Sequence, residues 1–173
     1  MGLPFMAVHG IHGTDYEGIR KDFLKVPDPY SGEDIIVVPS INPDFCIIHA
    51  AKSDPHGNLV IPGSDAFRLA ALSSRITIAT VEEVVEEKAL IARRGQTFLS
   101  ALHVDLVVSQ PLGAHPTSCP GVYPADEEHI KLYVEHAKDE EQFQKYLDTY
   151  VRGMSEDEYV EKVGKKFFEN ALS

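Results

Sequence analysis

The chain has 173 residues, 43% of them hydrophobic, and a formal net charge of −11. That length supports one compact domain with its own core and is marginal for two. The charge excludes nucleic acid as a main partner: phosphate binding needs grouped Lys and Arg, and the basic clusters here are small, as at Arg93-Arg94 and Lys165-Lys166.

No apolar run approaches the ~18 residues of a membrane span. The N-terminus, Met1 to Met6, shows neither a signal-peptide pattern nor a myristoylation motif. Cys46 and Cys119 are the two cysteines, and they make neither a disulfide framework nor a zinc site. The expected location is the cytoplasm, with no membrane and no nucleic acid involved.

Near the start, His9-Gly10-Ile11-His12-Gly13 holds a His-x-x-His pair in a glycine-containing loop. That spacing is weak for a metal, and a loop beside an active cleft is the favoured reading. Thr14-Asp15-Tyr16-Glu17 predicts the start of a short helix carrying Ile19 and Phe23. Four short apolar runs predict strands: Asp34 to Pro39, Phe45 to His49, Ile76 to Ala79 and Val104 to Val108. Their continuous apolar character suggests strands covered on both faces, as in a parallel sheet with helices.

Ser64-Asp65 precedes a predicted helix with Phe67, Ala70 and Ala71. Thr80 and Glu83 have capping-box spacing and predict a helix carrying Val84 and Val85. On that reading Glu82, Glu83, Glu86 and Glu87 form a solvated helix face. From about residue 126 the pattern is helical. Asp126 opens a helix with Ile130, Tyr133, Val134 and Ala137, and Asp139 opens another with Phe143, Tyr146, Leu147, Tyr150 and Val151. Gly153 stops it, and Ser155 with Glu158 caps a third that carries Val160, Val163, Phe167 and Ala171. The class is therefore α/β with a C-terminal helical extension.

In open α/β sheets ligands sit beyond the carboxyl ends of strands. Two stretches occupy such positions. Asp54-Pro55-His56-Gly57-Asn58 follows the Phe45 strand. It reads either as a tight turn held by Asp54 and shaped by Gly57, or as a loop presenting amides and the Asn58 carboxamide to a ligand. In the second case Asn58→Ala is mild for folding and harmful to activity. Pro111 to Pro120 follows the Val104 strand and groups Gly113, His115, Thr117, Ser118 and Cys119. Nucleophilic use of Ser118 or Cys119 needs a positioned base, and His115 is restrained by Pro116. A rigid crossover loop with locally capped hydroxyls is the equal alternative.

The stretch NPDFCIIHAAKSDPHGNLV resembles the signature of the family I coenzyme A transferase A (alpha) subunit. There an apolar strand ends in Ala-x-x-Ala-Asp-x-x-Gly-Asn. Here Ala50/Ala51, Asp54, Gly57 and Asn58 match, with Ser53 at the small position usually held by Ala. RITIATVEEVVEE resembles the family's strand followed by Val-Glu-Glu-Ile-Val. GLPFMAVHGIHGTDY and the segment PLGAHPTSCPGVYPADEEHIKLYVEHAKDEEQFQKYLDTYV are similar to the glutaconate CoA-transferase branch, which includes relatives that open steroid-derived rings.

The resemblance implies a mainly parallel open sheet of the NagB/RpiA-like type. It implies one A-type domain over residues 1–173, matching the C-terminal part of an A subunit. The substrates are an acyl-CoA and a carboxylic acid, with coenzyme A carried as a thioester and no permanently bound cofactor or metal. The glutamate nucleophile belongs to a B-type partner, so no catalytic residue is assigned here. An upstream A-type half with a Gly-rich loop is expected as a further partner. Asp54, Gly57, Asn58, Gly113, His115, Thr117 and Ser118 are the implied substrate-binding residues. The rivals are a thioester or ring-opening hydrolase on the same scaffold and a non-catalytic assembly protein.

Overall fold

A computed structural model describes residues 3–63 and 65–171. Ser64, the expected partner of Asp65 at a helix start, lies outside the described residues. The chain divides into two compact units, Met1–Pro43 and Asp44–Ser173, where the sequence suggested one domain.

The first unit is a three-stranded antiparallel sheet of β1 (Phe5–Val8), β2 (Leu24–Pro27) and β3 (Asp34–Pro39), in the order β1-β3-β2. The apolar run at Asp34 is thus an antiparallel centre strand, with Ile36 and Val37 buried. Helix α1 is one turn, Tyr16–Ile19, and Asp15 makes no side-chain cap. Glu17 instead reaches back to accept from the Gly13 N–H at 3.0 Å and meets the His12 ring at 2.8 Å.

The second unit holds a five-stranded sheet: β4 (Phe45–Ser53), β5 (Leu59–Pro62), β6 (Ile76–Val84), β7 (Gln96–Leu99) and β8 (Leu106–Ser109). The order is β7-β5-β4-β6-β8. β4, β6 and β8 run parallel, the expected arrangement for the Phe45, Ile76 and Val104 runs. β5 and β7 add to the other edge antiparallel, so the sheet is mixed. The reversal comes from the Asp54–Asn58 turn, too short for the helical crossover a parallel neighbour needs.

Helix α2 (Ala66–Ser73) returns the chain from β5 to β6. One core gathers Cys46, Ile48 and Ala50 of β4, Leu59 and Ile61 of β5, Ala79 and Val81 of β6, Leu99 of β7 and Ala71 of α2. Each fully buried aliphatic side chain there contributes roughly 1.5–3 kcal/mol. A second cluster of Ala51, Leu112, Cys119, Tyr123 and Phe167 joins β4 to the 112–123 loop and the last helix.

The helix expected from Thr80 is absent. β6 runs unbroken to Val84, with Thr80 opposite His49 and Val84 opposite Ser53. Capping-box spacing is overridden by a β-branched run that pairs with β4 along nearly its whole length. The helical tail is as expected: α3 (Glu127–His136), α4 (Glu140–Leu147) and α5 (Glu156–Ala171). Asp126 accepts from the His129 N–H at 2.9 Å, and Asp139 from the Gln142 N–H at 3.0 Å. Ser155 and Glu158 cap reciprocally. A wide π-type turn, Asp148–Arg152, follows α4 and ends at Gly153.

Candidate functional site

The turn after β4 is closed on itself. Asp54 Oδ1 accepts from the N–H groups of His56 and Asn58 at 2.9 and 3.0 Å, and Oδ2 accepts from Asn58 Nδ2 at 2.7 Å. Asn58 Oδ1 accepts from the Ala101 N–H at 2.9 Å, tying the turn to the segment before β8. Gly57 has φ +91°, the left-handed region that favours glycine. Burial pushes the Asp54 carboxyl up, but the bonds from Asn58 and His56 outweigh it and leave its pKa below the ordinary value. The Asn58 carboxamide is therefore committed at both ends to the fold. The expectation that its loss is mild for folding is corrected.

A polar cluster lies on β4 and β6 just before that turn. His49 and Thr80 are directly paired across the parallel strands, and Glu82, two residues on, shares their face. His49 Nδ1 is 2.8 Å from Thr80 Oγ1, and Nε2 is 2.6 Å from Glu82 Oε1. The Glu82 side chain is only 8% exposed. Its Oε1 also accepts from the Tyr123 hydroxyl at 2.6 Å, and its Oε2 accepts from the Leu112 N–H at 2.7 Å. The Tyr123 hydroxyl in turn accepts from the Ala114 N–H at 3.0 Å. A buried carboxylate is stable when paired and hydrogen-bonded in this way.

Around it, burial and the Glu82 charge push the Cys119 thiol up to about 11. Burial and the hydrogen bond to Glu82 likewise raise the Tyr123 hydroxyl. Both stay protonated near neutral pH, so neither is a nucleophile. The arrangement links a hydroxyl, an imidazole and a carboxylate in one chain, a geometry that can hold or pass a proton.

The 111–126 segment closes over this cluster. A Cβ on Gly113 would stand 2.9 Å from both Gln110 O and His49 Cε1, so glycine is what lets the loop lie against the imidazole. Thr117 and Ser118 are exposed, and the Thr117 hydroxyl donates to Ala114 O at 2.5 Å. His115 turns the other way. Its side chain is 0% exposed, with Nδ1 2.7 Å from the Tyr159 hydroxyl and Nε2 3.3 Å from Asp126 Oδ2. Burial lowers its pKa against the opposing pull of Asp126. It belongs to a second polar cluster with His129, whose Nε2 is 2.8 Å from the Tyr146 hydroxyl. The His115 ring is thus packed among side chains of the tail and offers no exposed surface in this chain.

Among the described residues, two groups each bring ligand-type atoms within 4.8 Å of one another: His49, Glu82 and Cys119 form one, and His115, Asp126 and His129 the other. In the first set Glu82 already receives three donors from the protein, which satisfies it without an ion.

Residues 1–97 match the family model for coenzyme A transferase. The chain belongs to the coenzyme A transferase family. This family member is 33% identical to the A (alpha) chain of the glutaconate CoA-transferase of Acidaminococcus fermentans, over 95% of this chain and 57% of that one. The solved glutaconate CoA-transferase from that organism superposes with a TM-score of 0.83 at 29% identity, covering 98% of this chain and 59% of the other. The corresponding A-type chain of the 3-oxoadipate CoA-transferase of Pseudomonas knackmussii is 33% identical over 88% of this chain and 54% of its own. The IpdA subunit of the cholesterol ring-cleaving hydrolase of Rhodococcus jostii is also 33% identical, over 96% and 59%. The chain thus spans little more than half the length of these relatives.

Within the coenzyme A transferase chain, the structure brings Gly113 to the His49–Glu82 cluster and places Asp54, Gly57 and Asn58 in the turn beyond it. Thr117 and Ser118 lie on the exposed side of the closing loop, and His115 lies inside. His49, Thr80, Glu82 and Tyr123 were missed as site residues. The available signal was the alternation Ile76, Ile78, Thr80, Glu82, which places a carboxylate in line with apolar residues on the strand face opposite the buried Thr77, Ala79 and Val81.

Proposed function

We propose that the chain is the A-type component of a CoA-transferase that moves coenzyme A between an acyl-CoA and a carboxylic acid. The observation that carries this reading is the similarity, along most of the chain, to the A-type chains of two such enzymes. A B-type partner supplies the glutamate that forms the acyl anhydride and then the enzyme thioester. The remainder of an A-type chain, which the relatives span and this one does not, completes the assembly. No permanently bound cofactor is required, and acyl-CoA substrates set the work in the cytoplasm.

The part played by this chain is to wall the cleft and exclude water from the reactive intermediates. Gly113, Thr117 and Ser118 together with the Asp54–Asn58 turn form that wall. The exposed edge of the Thr80–His49–Glu82 chain offers polar donors of the kind developing oxyanions need. The unpartnered face of β4, β6 and β8 supports a partner: Phe45, Ile47, Ile76 and Leu106 are 60%, 76%, 40% and 51% exposed.

The test is acyl transfer by the chain co-produced with a B-type partner and the remaining A-type segment. Transfer that depends on a carboxylic acid acceptor, with coenzyme A trapped on the partner's glutamate, is expected. The chain alone is expected to be inactive. Release of free coenzyme A without any acceptor would favour the hydrolase instead, and a coenzyme A adduct on a glutamate of this chain would overturn the assignment.

A further inference from the structure

The tail brings three metal-ligating side chains to one point. One ring nitrogen each of His115 and His129 and a carboxylate oxygen of Asp126 lie within 4.8 Å of one another. They come from two places in the chain: His115 from the loop after β8, and Asp126 and His129 from the cap and first turn of α3. His115 Nε2 stands 3.3 Å from Asp126 Oδ2. That is long for a charge-assisted hydrogen bond, which closes to about 2.7–2.9 Å. It is the spacing of two ligands on one tetrahedral ion, since bonds of about 2.0–2.1 Å put neighbouring ligand atoms about 3.3 Å apart. The third ligand atom, no more than 4.8 Å from the other two, joins the same shell by a modest turn of the His129 ring.

Each of the three is already aimed by a further contact. The Tyr159 hydroxyl of α5 is 2.7 Å from His115 Nδ1, the His129 N–H donates to Asp126 Oδ1 at 2.9 Å, and the Tyr146 hydroxyl of α4 is 2.8 Å from His129 Nε2. Metal ligands are commonly fixed by outer partners of this kind. For His115 and Asp126 these contacts leave Nε2 and Oδ2, the two atoms that face each other, for an ion. A cleft of about 290 Å³ opens beside them, lined by Asp126, Glu128, His129, Tyr150 and Lys162 among others. It gives an ion a way in past the Asp126 carboxylate, which is 19% exposed, and leaves room for a water on the ion. Lys162 holds its ammonium 4.8 Å over the Tyr150 ring. The carboxylates of Asp126 and Glu128 line the same cleft, so positive charge does not bar a cation.

We propose that His115, Asp126 and His129 bind a divalent transition-metal ion of the zinc class. Two imidazoles and one carboxylate suit such an ion better than Mg²⁺ or Ca²⁺, which take oxygen ligands. With three protein ligands, the fourth position belongs to water from the cleft. The ion fastens the loop after β8 to the start of α3 and, through Tyr159 and Tyr146, to α5 and α4. It thereby braces the segment that covers the Glu82 cluster. The inference is independent of the transferase reading.

The test is titration of the metal-free chain with Co²⁺, followed by visible absorption, and then displacement with Zn²⁺. One ion per chain is expected, with the intense ligand-field bands of a low-coordinate site. No thiolate charge-transfer band is expected, since Cys119 belongs to the other group of ligand-type residues. Zn²⁺ is expected to displace Co²⁺ and to raise the melting temperature, and excess Mg²⁺ to do neither. Asp126→Asn, which still accepts the His129 N–H through its amide oxygen, and His115→Gln are each expected to weaken Co²⁺ binding about tenfold or more. His12→Gln, in the exposed His-x-x-His loop, is expected to bind as the unaltered chain does. Circular dichroism shows which variants are folded. Imidazole NMR spectra of the unaltered chain read the ligands without any substitution, and the His115 and His129 ring nitrogens are expected to shift with Zn²⁺. No binding of either ion, a thiolate band, undiminished binding by both folded ligand variants, ring shifts confined to other histidines, or loss confined to His12→Gln overturns the proposal.

Discussion

The molecule holds two clusters built from the same parts: histidine, carboxylate and tyrosine. In the sheet, Glu82 joins His49 and Tyr123. In the helical tail, Asp126 joins His115, with Tyr159, His129 and Tyr146 around them. The sheet cluster has an open edge, for the His49 side chain is 17% exposed and meets a hydroxyl. In the tail cluster the rings are enclosed, with the His115 side chain at 0% and His129 at 7%, while the Asp126 carboxylate is 19% exposed. Those rings stack edge to face, His115 on His129 at 5.0 Å and on Phe167 at 5.6 Å. Composition therefore does not identify a working site. What separates the two is which member reaches the surface: the imidazole of His49 in the sheet and the carboxylate of Asp126 in the tail.

The largest expected effect breaks the sheet cluster. Glu82→Ala orphans the Tyr123 hydroxyl and the Leu112 N–H and leaves His49 without its carboxylate, at a cost of about 3–5 kcal/mol. Urea denaturation measures it, and a loss below about 1 kcal/mol would show the carboxylate to be dispensable to the fold. In the tail, His115→Ala opens a cavity and frees Asp126, costing about 2–4 kcal/mol. The comparison demands that turnover per folded molecule in the reconstituted enzyme stay unchanged for that variant. Reduced kcat with normal stability would reverse the roles of the two clusters. Asn58→Ala follows at about 1–3 kcal/mol, because the Ala101 N–H and Asp54 lose their partner.

The pH response sharpens the same contrast. His115 has a lowered pKa in the fold because burial disfavours its charged form. Above its ordinary value it is neutral folded or unfolded, and stability is full. As pH falls below that value the unfolded state takes up the proton first, so stability declines toward the lower folded pKa. His115→Asn is expected to flatten that slope, seen in melting curves between neutral and mildly acidic pH. The smallest effect is chemical: Cys119, at about 11 and buried, is expected to resist alkylation near pH ~8 until the chain unfolds. Rapid labelling of the folded chain would show the cover over the sheet cluster to be loose.

Much of this was readable beforehand where one physical rule acted alone. Asp126, Asp139 and Ser155 each precede an amphipathic pattern, and each caps its helix. Thr80 to Val85 shows the limit: the spacing that caps a helix also alternates along a strand, and pairing with a distant segment decided between them. The site was half legible for the same reason. The Asp54–Asn58 turn is local and was seen, though the Ala101 N–H that engages Asn58 comes from 43 residues away. Glu82 looked solvated among its neighbours. Its burial depends on Tyr123 and Leu112, and no window around residue 82 contains them.

The bare face of β4, β6 and β8 bears on how the chain fares in a cell. Four large apolar side chains on one sheet surface are what chaperones and proteases detect in an orphaned subunit. On the proposed assembly, the steady-state amount of this chain would follow the supply of whatever covers that face rather than its own rate of synthesis.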